Sequence, residues 1–356
     1  MSNLYISTYL APYRIDFCNA LAERLGCKIY HYVPAENEEG MLQRAVFENN
    51  RLETGSFAGK TYATGLRKLL SDNRPEIVFS QEYSLITLKL LQLRKQFGYK
   101  LVAICDDSMD MIGGNDFSAT HTLARKIVPR YLDNIILHSP DVLGWYRERF
   151  GKGVLMPIIA DDALMRERLA ASAPDSSRIV GEYGLEGKKI ILFVGRLVGL
   201  KNIPRLIEAY AAVRDRARLV IVGYGPERAS LEALSASLGL DVIFTGALFG
   251  NDLLAWYNIA DVLALPSTQE AFGAVTGEAL TCGCRVMVSS RAGSASLVRE
   301  GENGLVVEPC KVESMSQALA TLLDMPVLQR SPGGIRPSLL PVEFASALDG
   351  LLKHLI

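Results

Sequence analysis

Two cations and two carboxylates stand out by type and spacing. Arg196 and Lys201 lie in the stretch Gly195-Arg196-Leu197-Val198-Gly199-Leu200-Lys201-Asn202, behind the apolar run ILFV and ahead of a helix expected to begin at Pro204. An arginine fork and a lysine point charge beside helix N–H groups suit a diphosphate; the same residues also fit two solvated surface cations. Glu270 and Glu278 are separated by seven residues, with Phe272 and Gly273 leading into a helix that would carry Glu278. Free N–H groups at 273–276 would face a phosphate, which a carboxylate would repel. The two glutamates would therefore accept hydrogen bonds from sugar and ribose hydroxyls; the bland alternative is a helix-surface charge and a partner for the helix dipole. Gly223-Tyr224-Gly225-Pro226-Glu227 follows another apolar run but lacks the third glycine of a dinucleotide fingerprint and reads as a tight turn. In the N-terminal half, Asp106-Asp107 follow a strand-like run; one aspartate faces a site or both serve as caps.

These loops need strands and helices to hold them. Short β-branched runs alternate with helix-period segments, the pattern of parallel sheets covered by helices. Strands are expected at 4–7, 28–32, 77–80, 101–105, 135–138 and 154–156, then at 189–194, 219–223, 242–245, 262–265, 285–289 and 305–307. Ile15, Cys18, Ala22 and Leu25 mark a helix closed by Gly26, and Ile203, Leu206, Ile207 and Tyr210 mark another. The fold class is α/β: two tandem doubly wound Rossmann-like domains with an inter-domain cleft. The expected division is 1–158, 159–332, and a linker with a returning helix over 333–356, the helix itself spanning 342–352. In such sheets ligands bind beyond the carboxyl ends of the strands, which is where all four loops fall.

The combination GRLVGLKN, GYGP, PSTQEAFGAVTGEALTCGCRV and EGENGLVVEP resembles the C-terminal domain of family 4 glycosyltransferases, of GT-B architecture, over residues 189–309. Glu270 and Glu278 occupy the two acidic positions of that family's E-x7-E motif. The resemblance implies a retaining, metal-independent transferase that uses a nucleotide-diphosphate sugar and requires no cofactor. By that similarity Gly195, Arg196 and Lys201 would meet the diphosphate and Glu278 the ribose. Glu270 would hold donor-sugar hydroxyls, the main chain of Phe272, Gly273, Ala274 and Val275 would meet sugar and phosphate, and the base would lie near Gly223, Gly225 and Leu248. Arg196, Lys201 and Glu270 are the catalytic candidates in this half. The first loop, Thr8-Tyr9-Leu10-Ala11-Pro12-Tyr13-Arg14, resembles a subgroup among bacterial surface-polysaccharide enzymes of capsule and lipopolysaccharide synthesis. Many relatives place a His-Asp pair after the fourth strand; here the loop reads Cys105-Asp106-Asp107-Ser108, so the histidine's role is absent or falls to Asp106 or Asp107.

Other motifs point elsewhere. Gly55-Ser-Phe-Ala-Gly59-Lys60-Thr61 imitates a P-loop but is one residue short and follows a polar run. Cys282-Gly-Cys284 lacks zinc-ligand spacing, no D-x-D occurs in a metal-nucleotide loop, and His31, His121, His138 and His354 are scattered and read as packing or surface, with His121 near the acidic loop. With 38 basic and 39 acidic residues there is no excess for nucleic acid. No apolar run spans a bilayer and the start is not leader-like, so a cytoplasmic location is expected. Two basic stretches, 89–100 and Arg125, Lys126 and Arg130, suit contact with the inner membrane face or solvated helix surfaces. The expected reaction moves a sugar from a UDP-sugar, in preference to a GDP-sugar, to a saccharide or lipid-linked saccharide. The alternatives are a nucleotide-sugar epimerase or hydrolase of the same fold, or a tandem module that only binds. Oligomeric state is not legible in the chain.

Overall fold

The computed structural model describes residues 2–34, 42–57, 60–114, 119–329, 331 and 334–355. It divides into two compact units, Met1–Ala160 with Ala345–Ile356, and Asp161–Phe344.

In the first unit the strands are β1 (Leu4–Ser7), β2 (Lys28–His31), β3 (Asn50–Arg51), β4 (Thr54–Phe57), β5 (Lys60–Ala63), β6 (Ile77–Gln81), β7 (Lys100–Ile104), β8 (Asn134–Leu137) and β9 (Val154–Leu155). Seven of them form one sheet in the order β3-β2-β1-β6-β7-β8-β9, with every recorded pairing parallel. β4 and β5 stand apart as an antiparallel hairpin, so the P-loop-like stretch is hairpin at both ends, while its residues 58 and 59 lie outside the described residues. Strands buried on both faces must be apolar almost throughout, and β1, β6 and β7 are. The Ile15–Leu25 helix ends at Gly26, whose φ of 59° puts it in the left-handed region.

The second unit contains β10 (Lys189–Val194), β11 (Ala217–Val222), β12 (Val242–Gly246), β13 (Val262–Leu265), β14 (Arg285–Ser289) and β15 (Gly304–Val307). Their order is β12-β11-β10-β13-β14-β15, again parallel. Two doubly wound sheets are thus present, as the alternation of runs implies. In each, the order reverses beside the first strand: at β1/β6 in one unit and β10/β13 in the other. The loops that follow those strands open on the ligand-binding edge of such a sheet.

The Pro/Gly segment after residue 330 remains with the second unit up to Phe344. Arg336, 4% exposed, donates to the carbonyls of Tyr257, Asn258 and Ala260, and Leu339 N–H donates to Leu280 O. The last helix is Phe344–Leu355, later than the 342–352 expected, because Asp162 Oδ1 accepts the Phe344 N–H at 2.8 Å and fixes the start there. Its Leu348, Leu351, Leu352 and Leu355 are buried.

Candidate functional site

Loops after four neighbouring strands build the site in the second unit. Those after β10 and β11 lie backbone against backbone. Gly195 N–H donates to Val222 O at 3.0 Å, Leu197 N–H to Tyr224 O at 2.8 Å and Glu227 N–H to Leu197 O at 3.2 Å. A Cβ on Gly223 would fall 1.8 Å from Gly195 O, and one on Gly225 would fall 2.3 Å from Leu197 O. Both positions therefore exclude every other residue, for closeness of approach and not merely for a tight turn. Gly223 N–H also donates to Gly246 O at 2.8 Å, tying in the loop after β12 that leads to half-buried Leu248.

Lys201 and Glu270 meet at the β10/β13 reversal. Lys201 Nζ donates to Glu270 Oε2, with the two side chains 18% and 16% exposed, and Ser267 Oγ donates to the same oxygen at 3.2 Å. Asn202 locks the loops behind them, donating to Pro266 O at 3.1 Å and Pro309 O at 2.8 Å. Arg196 is exposed and makes no ion pair among the described residues.

Gly273 opens the Ala274–Thr281 helix at φ 93°, and no side chain caps it. A Cβ there would meet Leu265 Cδ2 at 2.5 Å, Ser294 Oγ at 3.0 Å and Glu270 Cγ at 3.3 Å. Glycine thus serves both the backbone angle and the space. The uncapped N–H groups of the first turn and the dipole behind them attract an anion. Phe272 is buried, and Ala274 and Val275 are half-buried. One turn further along, Glu278 Oε2 accepts the Tyr257 hydroxyl at 2.8 Å. Burial, reinforced by the Glu278 carboxylate, holds the Tyr257 phenol well above its ordinary value, so it remains a donor.

In the first unit the adjacent aspartates part ways. Asp107 points into the core, where Arg125 grips it with Nε at 3.0 Å and Nη2 at 2.9 Å and Tyr146 donates at 2.5 Å; Tyr146 in turn meets Tyr83 at 2.6 Å. Arg125 is 3% exposed, which removes it from the basic surface stretch expected of it. Asp106 sits at the carboxyl end of β7 with Arg14, His138 Nε2 at 2.9 Å and Tyr13 Oη at 3.2 Å. Burial alone would raise its pKa, but Arg14 and His138 hold it well below the usual carboxylate range. His138 donates Nδ1–H to Met156 O at 2.7 Å, fixing the ring with Nε2 toward Asp106. His138 is thus 4% exposed and part of an ionic cluster, more than the packing residue its isolation suggested. His121 lies 3.6 Å from Glu82.

The structure therefore brings together Lys201 with Glu270, Gly195 with Gly223, and Gly273 with Glu270. It separates Asp106 from Asp107. Arg14, His138, Asn202, Ser267 and Tyr257 were not among the candidate site residues read from the sequence. The only signal for His138 was a polar residue closing an apolar strand run.

Two doubly wound halves of this order form the GT-B architecture. Solved structures bear this out as fold: HepE of Anabaena in complex with UDP and glucose aligns with a TM-score of 0.72 at 17% identity, over 91% of this chain and 90% of that one. Sucrose-phosphate synthase of Thermosynechococcus elongatus aligns at 0.69 and 18%, over 100% and 94%. More narrowly, residues 176–333 match the family model described as Glycosyl transferases group 1. An uncharacterized glycosyltransferase of Methanocaldococcus jannaschii is 39% identical over 142 residues, 39% of this chain and 36% of its own length. An alpha-D-kanosaminyltransferase of Streptomyces kanamyceticus is 34% identical over 152 residues, 41% and 39% of the two chains. The chain spans less than half the length of these curated relatives.

Proposed function

We propose that this chain is a retaining, metal-independent family 4 hexosyltransferase that moves a sugar from a nucleotide-diphosphate sugar, UDP-linked in preference to GDP-linked, to a saccharide or lipid-linked saccharide in bacterial polysaccharide synthesis. The observation that carries it is the Lys201–Glu270 pair beside the uncapped, glycine-opened helix. A lone carboxylate there would repel a diphosphate; the lysine neutralises it and is itself a phosphate ligand. UDP in the HepE structure supports the choice of base.

Arg196, Lys201 and the N–H groups of Ala274 and Val275 would hold the diphosphate, while Glu270 and Glu278 would accept hydroxyls of sugar and ribose. In the reaction the anomeric carbon loses its bond to the β-phosphate oxygen and gains one to the acceptor oxygen. The acceptor's proton passes to the departing phosphate, so no side-chain base is needed on that face. Cations and N–H groups aimed at the growing phosphate charge lower the barrier. In the first unit Asp106, 15% accessible and paired with Arg14 and His138, remains the candidate carboxylate, whereas Asp107 is held in the core by Arg125 and Tyr146.

A panel of UDP- and GDP-sugars read by thermal shift tests the donor, since a ligand that binds the native state raises its melting point. Nucleotide release with an acceptor, and the anomeric configuration of the product by NMR, test the reaction. No stabilisation by any donor, or a product of inverted configuration, overturns the reading.

A further inference from the structure

A half-buried glutamate on a helix has three rotatable side-chain bonds, and holding it in one rotamer costs conformational entropy. Glu278 is held from outside its own helix. The Tyr257 hydroxyl, on the Gly250–Ile259 helix, donates to Glu278 Oε2 at 2.8 Å. Tyr257 is 1% exposed, so close packing around the ring fixes where its hydroxyl points. The phenol stays protonated and acts on the carboxylate as a donor. A carboxylate has about four acceptor positions, so one bond to Tyr257 orients Glu278 without exhausting it.

The helices that carry Tyr257 and Glu278 are clamped at their carboxyl ends by one strap, residues 334–341. At the end of the Gly250–Ile259 helix, Arg336 donates to the carbonyls of Tyr257 at 3.2 Å, Asn258 at 3.0 Å and Ala260, and lies 3.7 Å from Asp261. Cys284 Sγ donates to the Tyr257 carbonyl as well, at 3.0 Å. At the end of the Ala274–Thr281 helix, Leu339 N–H donates to Leu280 O at 2.8 Å, and Arg166 joins Thr281 O at 2.9 Å to Arg336 O at 3.1 Å. The last carbonyls of a helix lack partners within it, and a guanidinium among them is favoured by the helix dipole. Gly283, at φ 77°, lets the strap come this close: a Cβ there would fall 2.6 Å from both Arg336 Cβ and Pro337 O. Both helices are thus pinned to one buried segment, and the Tyr257–Glu278 bond joins them one to the other.

We propose that Tyr257 is a positioning residue for ribose recognition: it aims Glu278 at the two ribose hydroxyls, so that the chain tells a ribonucleotide from its deoxy counterpart through a side chain that touches no ligand. The proposal rests on the reading of Glu278 as the ribose ligand. The ribose lies a diphosphate away from the bond that breaks, so Tyr257 acts on donor binding and leaves the chemical step alone.

The test is calorimetric titration of the full chain with UDP and 2′,3′-dideoxy-UDP, and with the same pair in the guanosine series. Wild type should bind the ribonucleotide roughly tenfold or more tightly than the dideoxy form. Tyr257→Phe removes one oxygen and keeps the ring. It should weaken ribonucleotide binding by roughly five- to tenfold and leave dideoxynucleotide binding as it was, whereas a loosened structure would weaken both alike. With a nucleotide sugar, KM should rise and kcat should hold. Added to Glu278→Ala, Tyr257→Phe should weaken UDP binding no further, because it acts through that carboxylate. A wild type that discriminates, beside a Tyr257→Phe variant that discriminates equally, overturns the proposal and leaves the donor reading standing. So does a further loss in the double variant, or a fall in kcat at unchanged KM. A wild type that binds no ribonucleotide, or binds both members of each pair alike, overturns the ribose assignment of Glu278 and the proposal with it.

Discussion

Lys201→Ala separates stability from chemistry at the candidate site. Lys201 and Glu270 are both more than four-fifths buried, so their attraction is only partly screened by water. At an effective dielectric of about 20, two unit charges about 4 Å apart attract by roughly 4 kcal/mol. The net stability lost on removing the lysine is smaller, about 1–3 kcal/mol, because desolvation of the ammonium is recovered and Ser267 still donates to Glu270. For a unit of this size that lowers the melting point by roughly 3–9 °C. On the proposed reading turnover should fall much further, by roughly 100- to 1,000-fold, since Lys201 would donate to the departing phosphate. UDP affinity by calorimetry should fall as well, because an unneutralised carboxylate now faces the anion. Adding Glu270→Gln to Lys201→Ala should restore most of the melting point and part of the UDP affinity, but not the turnover of UDP-sugar measured by UDP release. A folded Lys201→Ala variant near the wild-type rate, or rescue of turnover by Glu270→Gln, would refute the reasoning.

Gly273→Ala should destabilise the second unit by about 2–5 kcal/mol, combining a left-handed backbone penalty with a crowded Cβ, and should reduce UDP binding by displacing Glu270; calorimetric melting checks the first and titration the second. Asp107→Asn and Asp106→Asn should behave differently. The first leaves Arg125 buried without its charge partner and costs about 3–5 kcal/mol with little change in specific activity of the folded fraction. The second should reduce specific activity and also remove an acid-dependent part of stability. Asp106 has a folded pKa below its unfolded one, so its contribution is full above about pH 4 and fades as pH falls toward the depressed folded value. Denaturant melts of wild type and Asp106→Asn should therefore converge as pH drops below about 4, and parallel curves would contradict the ion-pair assignment.

Most of the fold was legible because buried parallel strands are written as continuous apolar runs. Lys189–Val194, Val262–Leu265 and Arg285–Ser289 match their expected bounds. Asn50–Arg51 and the Thr54–Phe57 hairpin strand were not, since polar residues at an edge or in an isolated ribbon lack that pattern. In the site, Lys201 and Glu270 were readable because each closes a strand-to-loop transition, and the doubly wound order makes those loops neighbours. The aspartates could not be told apart by spacing. Successive residues of an extended chain face opposite ways, and which way is inward depends on Arg125 and Tyr146 arriving from other elements. Likewise Arg14, in the Pro12–Arg14 turn that follows β1, and His138, just after β8, come to Asp106 by a convergence set by sheet order that no local motif encodes.

The first unit is not contiguous along the chain: Ala345–Ile356 belongs to it, although all of Asp161–Phe344 intervenes. During synthesis the ribosome must therefore make the whole second unit before it delivers the helix whose leucines pack into the first. Until then the first unit lacks the helix that buries Leu348, Leu351, Leu352 and Leu355, and apolar surface left uncovered in a partly made chain favours aggregation. A fragment cut after Ala160 would lack that helix permanently, whereas Asp161–Phe344 can be excised as one uninterrupted length of polypeptide.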